Sequence, residues 1–579
     1  MKSLLRFYRP HIAGIFVMLL LTFGQAMAEL SLPGYMAAII DSGILAGDTR
    51  LILAQGVRML LMSLLSVACA VGVGFFASRI SARASFDIRG AIFRRVTFFA
   101  NPEFDRFSTA SLTTRSTNDV QQIQMVTSML FRMALFAPIM GIGALIRSYG
   151  TSPSLSWTIA LALALILVML LIMFTLMMPR FRLSQKLLDR INLAMSERLS
   201  GMLVIRAFRA EGPSEARFDE TNSALMKLNL FINRTLSLMM PLMFFIMNAV
   251  CILILWAGSR IIGVDGFQVG DMLAFIQYTM HIIMSFIMLS MVFFMLPRAM
   301  VSMTRIAEAL DAEISIKDAP ADRLRHLPDA GAAALEFDRV SFRYPGADEY
   351  VIRDISFTAR PGETTAFIGG TGSGKSTVMN LIPRFYDVSE GEIRIGGVNI
   401  KYLPQRELRD SIGYVPQQPA LFSGTIESNL RYGGREASLG ELAEAAETAQ
   451  AAGFIAEKPD GYGESVAQGG TNVSGGQRQR LAIARALVKK APIYVFDDSF
   501  SALDFKTEKA LRAALKDRMG GSAVLIVAQR ISAIRNADRI IVMDEGLIAG
   551  SGTHRELMES CGVYREIALS QLSEEELRR

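Results

Sequence analysis

The sequence predicts a chain of two parts. An all-α membrane half built on six long apolar helices is followed by a soluble α/β half built on a mostly parallel sheet. Three observations carry this. The chain has 579 residues, more than one domain needs. It is 51% hydrophobic with a mean hydropathy of +0.33, and the apolar excess lies in roughly the first 300 residues. After about Asp311 the pattern changes to short apolar strands set off by glycine loops and helices. The expected organisation is a membrane domain over 1–310, a linker over 311–334 with two prolines, and a soluble α/β domain over 335–579.

The six apolar segments run over about 11–40, 51–77, 126–147, 155–178, 236–262 and 270–296, each long enough for the ~20 residues of a membrane helix. Arg79, Arg83, Arg89, Arg94 and Arg95 follow the second, and Arg180, Arg182, Lys186 and Arg190 follow the fourth. The other connections carry few cations, chiefly Arg50, Arg147 and Arg260, so the positive-inside rule places the N-terminus and the long connections in the cytoplasm. Those connections, about 78–125 and 179–235, keep helical apolar periodicity and predict helices that run on beyond the bilayer. Their tips, near Ser111–Asp119 and Ser200–Arg209, are candidates for docking on another domain.

The net charge of +6 and the pI near 9.2 come from these flanking cations, and no basic stripe interleaved with aromatics suggests nucleic acid. Cys69, Cys251 and Cys561 lie in separate segments without metal-ligand spacing. No cleavable signal is expected, because the first apolar run continues past signal length.

In the soluble half, LEFDRVSFRY alternates as a strand and TTAFIGG is an apolar strand opening into a glycine loop. The stretch GGTGSGKS (Gly369, Gly370, Thr371, Gly372, Ser373, Gly374, Lys375, Ser376), with Thr377 next, satisfies G-x-x-x-x-G-K-S between a strand and a helix. Glycines let backbone N–H groups wrap phosphates, Lys375 neutralises their charge, and Ser376 offers a hydroxyl to Mg²⁺. Asp497 closes the apolar strand IYVF and suits a Mg²⁺-side carboxylate, with Asp498 directly after it. NVSGGQRQRLAIARALV places a second glycine turn, Ser474, Gly475, Gly476 and Gln477, at a helix start. That turn is either a phosphate device or only a cap.

Taken in order, Tyr344, GGTGSGKS, Gln417 in YVPQQPALF, VSGGQ, IYVFDD and SALD resemble the nucleotide-binding domain of an ABC transporter. With six membrane helices ahead of it, the whole chain is similar to an ABC exporter half-transporter. VSGGQ departs from the family's LSGGQ only at Val473. The resemblance implies ATP and Mg²⁺ as cofactors, with Tyr344 stacking on adenine and Gln417 joining the Mg²⁺ and water network. It implies that Ser474–Gln477 cap the γ-phosphate bound by an opposite subunit, that Asp504 lies at the subunit seam, and that the docking tips act as coupling helices. One P-loop and one signature imply a dimer.

Two positions depart from the pattern. The family's catalytic base is Glu after the magnesium Asp, and here it is Asp498; the family's switch histidine is Gln529 here. The combination resembles the degenerate-site subunit of bacterial heterodimeric multidrug exporters. It implies a partner half-transporter carrying Glu and His at these positions and a damaged signature. The expectation is ATP-driven export of hydrophobic or amphipathic compounds from a bacterial cytoplasmic membrane by alternating access, with the ATP domain in the cytoplasm. Rival readings are a dedicated lipid, peptide or siderophore transporter, with a peptide-processing type disfavoured, and an ATP-sensing membrane regulator.

The 33 Met and 35 Phe suit either a surface that repacks around varied cargo or ordinary span packing. Gln25 and Glu29 on the first segment, and Gln277 and His281 on the sixth, form i,i+4 polar pairs at membrane depth. Each either lines the cargo path or closes a local interhelical hydrogen bond. Asp41 is either half of an outer gate or a solvated acid at a helix end.

Overall fold

A computed structural model describes residues 2–263, 267–328 and 334–571. The chain divides into two compact units, Met1–Thr97 with Thr109–Asp311, and Phe98–Ser108 with Ala312–Arg579.

In the first unit six helices are long and apolar enough to cross a membrane: α1 (Arg9–Ile44), α2 (Thr49–Thr97), α4 (Thr109–Thr151), α5 (Pro153–Ala207), α6 (Glu211–Ser259) and α7 (Val269–Asp311). The expected six spans are therefore present. At 49 residues, α2 extends roughly 74 Å, more than twice the ~30 Å hydrocarbon core. The persistence of periodicity through its polar half is the reason it continues. Leu53, Leu60, Val67, Val71 and Phe75 of α2 are more than half exposed, an outward apolar face suited to lipid. The interior packs Leu30, Ala144, Ile166, Ile254, Phe275 and Ile282 from five helices. Wider π-turns interrupt α1 at Ile39–Ile44 and α4 at Arg115–Asp119 and Leu130–Ala134.

The first docking tip sits earlier than the sequence suggests. Residues near Ser111–Asp119 pack inside the membrane unit, where Arg115 meets Glu308 at 3.2 Å and Asp119 meets Arg305 at 3.3 Å. A short helix before them, α3 (Asn101–Phe107), belongs to the second unit. Its Asp105 accepts a hydrogen bond from the Tyr386 hydroxyl at 2.8 Å, and Glu103 accepts from the Ser315 N–H at 3.0 Å. The Asn-Pro-Glu start, with Pro in the first turn and Glu103 bonding back to the Ala100 N–H at 2.7 Å, was the legible signal. Around the second tip, α5 stays helical to Ala207, and Leu203 and Phe208 are 82% and 80% exposed.

The second unit holds twelve strands among the described residues. β1 (Leu335–Phe342), β2 (Ile352–Ala359), β4 (Glu390–Ile395) and β5 (Val398–Asn399) form an antiparallel sheet ordered β2-β1-β4-β5. β3 (Thr364–Gly369), β6 (Ile412–Val415), β9 (Ile493–Asp497), β10 (Ala523–Val527), β11 (Arg539–Asp544) and β12 (Leu547–Gly552) form the larger sheet, ordered β12-β11-β3-β10-β9-β6. Its strands are parallel except for the β12 edge. A two-residue pair joins β7 (Gly424–Thr425) to β8 (Ser465–Val466). Every residue of β9 and β10 is buried, as a parallel sheet covered on both faces requires. Alternation splits them: Tyr494, Phe496, Val524 and Ile526 enter one core, and Ile493, Val495, Leu525 and Val527 the other. Segment 312–328 lies along this unit, with Asp318 accepting from the Gln405 N–H at 2.9 Å and Glu407 from the Leu327 N–H at 2.7 Å.

Candidate nucleotide-binding site

Ligands in a parallel α/β sheet belong at the C-terminal strand ends, and here β3, β9 and β10 end together. β3 runs into the glycine loop, and helix α8 (Lys375–Leu381) opens on its lysine. Gly372 and Gly374 stand at φ +83° and +96°, and a Cβ at Gly374 would come within 2.5 Å of Ile352 Cγ2. The loop can close only with glycine at such positions. Lys375 Nζ is folded inward, donating to the carbonyls of Gly369 (3.0 Å) and Gly370 (2.7 Å) and to Ser373 Oγ (3.1 Å). Burial lowers its pKa, and the carboxylates of Asp497 and Asp498 oppose that shift.

At the end of β9, the buried Asp497 Oδ1 accepts from Ser376 Oγ at 3.1 Å. Burial pushes this carboxyl above the ordinary Asp range. A hydroxyl and a carboxylate this close are hard oxygen ligands, the kind Mg²⁺ takes beside phosphate and water oxygens, so the residues present fit that ion.

Asp498 turns the chain out of the strand with φ +47°, a left-handed conformation uncommon outside glycine. Its N–H donates to Val527 O at 3.1 Å and its carbonyl accepts from Ser501 Oγ at 3.0 Å, which fix that turn. Asp498 Oδ2 accepts from Gln529 Nε2 at 2.8 Å. Burial raises this carboxyl too, against hydrogen bonds from Gln417, Ser501 and Gln529. The two departures from the family pattern thus touch each other. Ser501 and Val527, which hold the turn, have no signal in the sequence.

The Tyr344 hydroxyl shares a hydrogen bond with Thr377 Oγ1 at 3.1 Å. Its ring stands edge-on to Phe342 (5.0 Å) and Tyr386 (5.3 Å). Together with Pro345 and Gly346 it lines a cavity of about 630 Å³, large enough for a nucleoside.

The second glycine turn is a helix start. Ser474 Oγ accepts from the Gln477 N–H at 3.2 Å and Gln477 Oε1 accepts from the Ser474 N–H at 3.0 Å, a reciprocal cap on α9 (Gly475–Val488). Asp504 caps α10 (Phe505–Arg518) by accepting from the Thr507 N–H at 3.0 Å, and these N–H contacts hold its carboxyl below the usual range. Ser474, Gly475 and Asp504 are exposed. Among the described residues no hydrogen bond ties Ser474–Gln477 or Asp504 to the glycine loop.

In the membrane unit, Glu29 Oε1 accepts from Gln25 Nε2 at 3.0 Å and from Ser66 Oγ of α2 at 2.9 Å. Of the two readings, the interhelical bond is therefore present. His281 and Gln277 are both half-buried, a turn apart on α7. Asp41 is not merely solvated. Its Oδ1 accepts from the Gly270 N–H at 2.7 Å and joins the C-terminal end of α1 to the first turn of α7.

Residues 15–286 match the ABC transporter transmembrane region, and residues 352–501 match the ABC transporter family model. An uncharacterized ABC transporter ATP-binding protein of Mycobacterium tuberculosis is 40% identical over 566 residues, 97% of either chain. An ATP-dependent lipid A-core flippase of Chromobacterium violaceum is 30% identical over 571 residues, 96% of this chain and 95% of that one. Among solved structures, a bacterial Atm1-family ABC exporter with ATP bound superposes with a TM-score of 0.80 at 26% identity, covering 98% of this chain and 99% of that one. One transmembrane region, one ATP-binding domain and likeness along the full length make the chain a member of the ABC transporter family, an exporter-type half-transporter whose ATPase is coupled to transport.

Proposed function

We propose that the chain is the slow half of a two-chain exporter for hydrophobic or amphipathic compounds. On this reading Tyr344 stacks on adenine, the loop Gly369–Thr377 wraps the phosphates, and Lys375 neutralises them. Ser376 and Asp497 hold Mg²⁺, with Gln417 beside them. When bound, that ion supplies charge neutralisation on the phosphate oxygens. Asp498 orients the attacking water and takes its proton. Ser474–Gln477 and Asp504, unspent on the chain's own glycine loop, complete the partner's site.

The observation that carries the proposal is the Asp498–Gln529 contact at 2.8 Å. Asp is one methylene shorter than Glu, and a misplacement of about 1 Å can cost on the order of 10²-fold in rate. A displaced general base costs about 10²–10⁴-fold. Gln529 spends its amide N–H on the carboxylate that should receive the water's proton, and it cannot bring an imidazolium charge to the γ-phosphate. Binding without prompt hydrolysis is what this geometry supports.

Purified chain alone and chain with its partner should be compared for Mg-ATPase. Brisk turnover by the lone chain sinks the slow-site reading. Lipid export is a second reading, supported by the likeness to a lipid A-core flippase. ATP-dependent cargo movement in vesicles separates both from an ATP-sensing regulator.

A further inference from the structure

Between the end of β10 and a short helical turn, α11 (Ile531–Ile534), the chain carries Gln529 past Asp498. Arg530 stands at the N-cap of that turn with extended backbone, φ −106° and ψ 128°, and its side chain makes no capping hydrogen bond. The first N–H of a helical turn needs a partner from outside the turn, and so does a loop carbonyl ahead of it. One side chain supplies both. Gln571, in the last turn of α12 (Gly562–Gln571), accepts from the Ile531 N–H through Oε1 at 2.8 Å. Its Nε2 donates to the Gln529 carbonyl at 2.8 Å. Among the described residues these two backbone groups have no other hydrogen-bond partner.

The elements on either side of this clamp are fixed independently of it. Tyr564 and Ala568 of α12 are fully buried in the core that also holds Ile531 and Ile534. The Tyr564 hydroxyl shares a hydrogen bond with His554 Nδ1 at 2.7 Å. Upstream of Gln529, the Ala528 N–H donates to Phe367 O at 3.1 Å. Downstream, Arg512 of α10 donates to the carbonyls of Ser532 at 3.1 Å and Ala533 at 2.6 Å. Residue 529 therefore sits in a short span whose ends are held by others and whose middle is held by Gln571. The Gln529 side chain, with three rotatable bonds, must be ordered to keep its 2.8 Å contact with Asp498, and a fixed backbone lowers that entropy cost.

We propose that Gln571 is a positioning residue for the ATP site, whose amide fixes the backbone at 529 and 531 and through it the contact of Gln529 with Asp498. A supporting side chain of this kind acts on rate, because a shift of about 1 Å beside a reacting group can change it on the order of 10²-fold. The inference takes the sign of its rate effect from the slow-site reading. On that reading, releasing the clamp lets the Gln529 amide leave the carboxylate, and turnover at this site rises.

The test uses the full-length chain assembled with its partner, whose catalytic base is removed so that only this site turns over. Wild type, Gln571→Met, Gln529→Ala and the double variant form a cycle, with Tm taken on each to confirm folding. Gln571→Met keeps the length of the side chain and lacks both hydrogen-bonding groups. It should raise kcat by roughly two- to tenfold, the weight of a hydrogen bond, with KM for ATP unchanged. Gln571→Glu, which keeps the acceptor for Ile531 and loses the donor, should fall between Met and wild type. In the Gln529→Ala background Gln571→Met should change kcat less than about twofold, because no amide remains to be positioned. Additive effects overturn the inference, and so does an unchanged kcat in Gln571→Met where Gln529→Ala alters it. A non-additive fall in kcat upholds the positioning role and reverses the slow-site reading. Hydrogen exchange over 528–534 is the second readout. Gln571→Met should speed it roughly two- to tenfold with the rest of the domain unchanged, and unchanged exchange overturns the clamp whatever the rates. If Gln529→Ala leaves kcat at the wild-type value, the slow-site reading fails and exchange alone decides the clamp.

Discussion

Asp498→Glu, alone and with Gln529→His, reverses the two departures in the ATP site. The missing methylene holds the carboxylate back by about 1 Å, so restoring it should raise hydrolysis at this site on the order of 10²-fold. Gln529→His should add to that by freeing the carboxylate of the amide it now accepts at 2.8 Å. The backbone resists part of the gain. Asp498 stands at φ +47°, where a longer side chain is less at home, and left-handed geometry costs roughly 1–2 kcal/mol per residue. The turn should nevertheless hold, because Val527 O and Ser501 Oγ fix it from both sides. Mg-ATPase is measured on the assembled transporter with the partner's catalytic base removed, so that only this site reports. A double variant no faster than wild type, with ATP affinity unchanged, would refute the argument that arm length and the Gln529 contact slow the site.

Asp497→Asn should stabilise the nucleotide-free protein at neutral pH while abolishing Mg²⁺-dependent ATP binding. Burial raises the Asp497 pKa, so the native state binds the proton more tightly than the unfolded chain. Its contribution to stability is full below the ordinary Asp range and falls as pH rises through the raised value. The Tm advantage of the variant should thus shrink toward acid pH, and a constant advantage would contradict the assignment. Tyr386→Phe removes the hydroxyl that donates to Asp105 on α3, so basal ATPase should change little while cargo stimulation falls several-fold; unchanged stimulation excludes a coupling role. Glu29→Gln keeps an acceptor for Ser66 and Gln25 and should leave Tm nearly unchanged, with transport of cationic dyes reduced several-fold. Equal effects on cationic and neutral dyes remove charge recognition from Glu29.

Features written by period and punctuation could be read directly from the residues. The six spans follow from run length, and the buried β9 follows from IYVF. The glycine loop follows from residue types that only one geometry accommodates. Features made by chain meeting chain could not. No local signal pairs Glu29 with Ser66, 37 residues away, or Asp41 with Gly270, 229 residues away. The docking helix was misplaced for a related reason. Residues Ser111–Asp119 look like a polar tip because Arg115 and Asp119 are charged, yet those charges are spent inward on Glu308, Arg305 and Ser302. Gln529 was visible as an unusual residue, but its contact with Asp498 required the parallel register that sets β10 beside β9.

The hydrogen bond from Gly270 to Asp41 bears on how often the joined ends of α1 and α7 part. A Cβ at position 270 would collide with the Asp41 carboxylate and the Ala37 carbonyl, so the approach depends on glycine. A bond from a neutral donor to a charged acceptor contributes about 1.5–3 kcal/mol. A fastening of that size shifts the balance between joined and parted ends by roughly 10- to 150-fold. A few kcal/mol of binding energy elsewhere would offset it, and lengthening or removing the acid at position 41 should raise the parted share without any change in the ATP site.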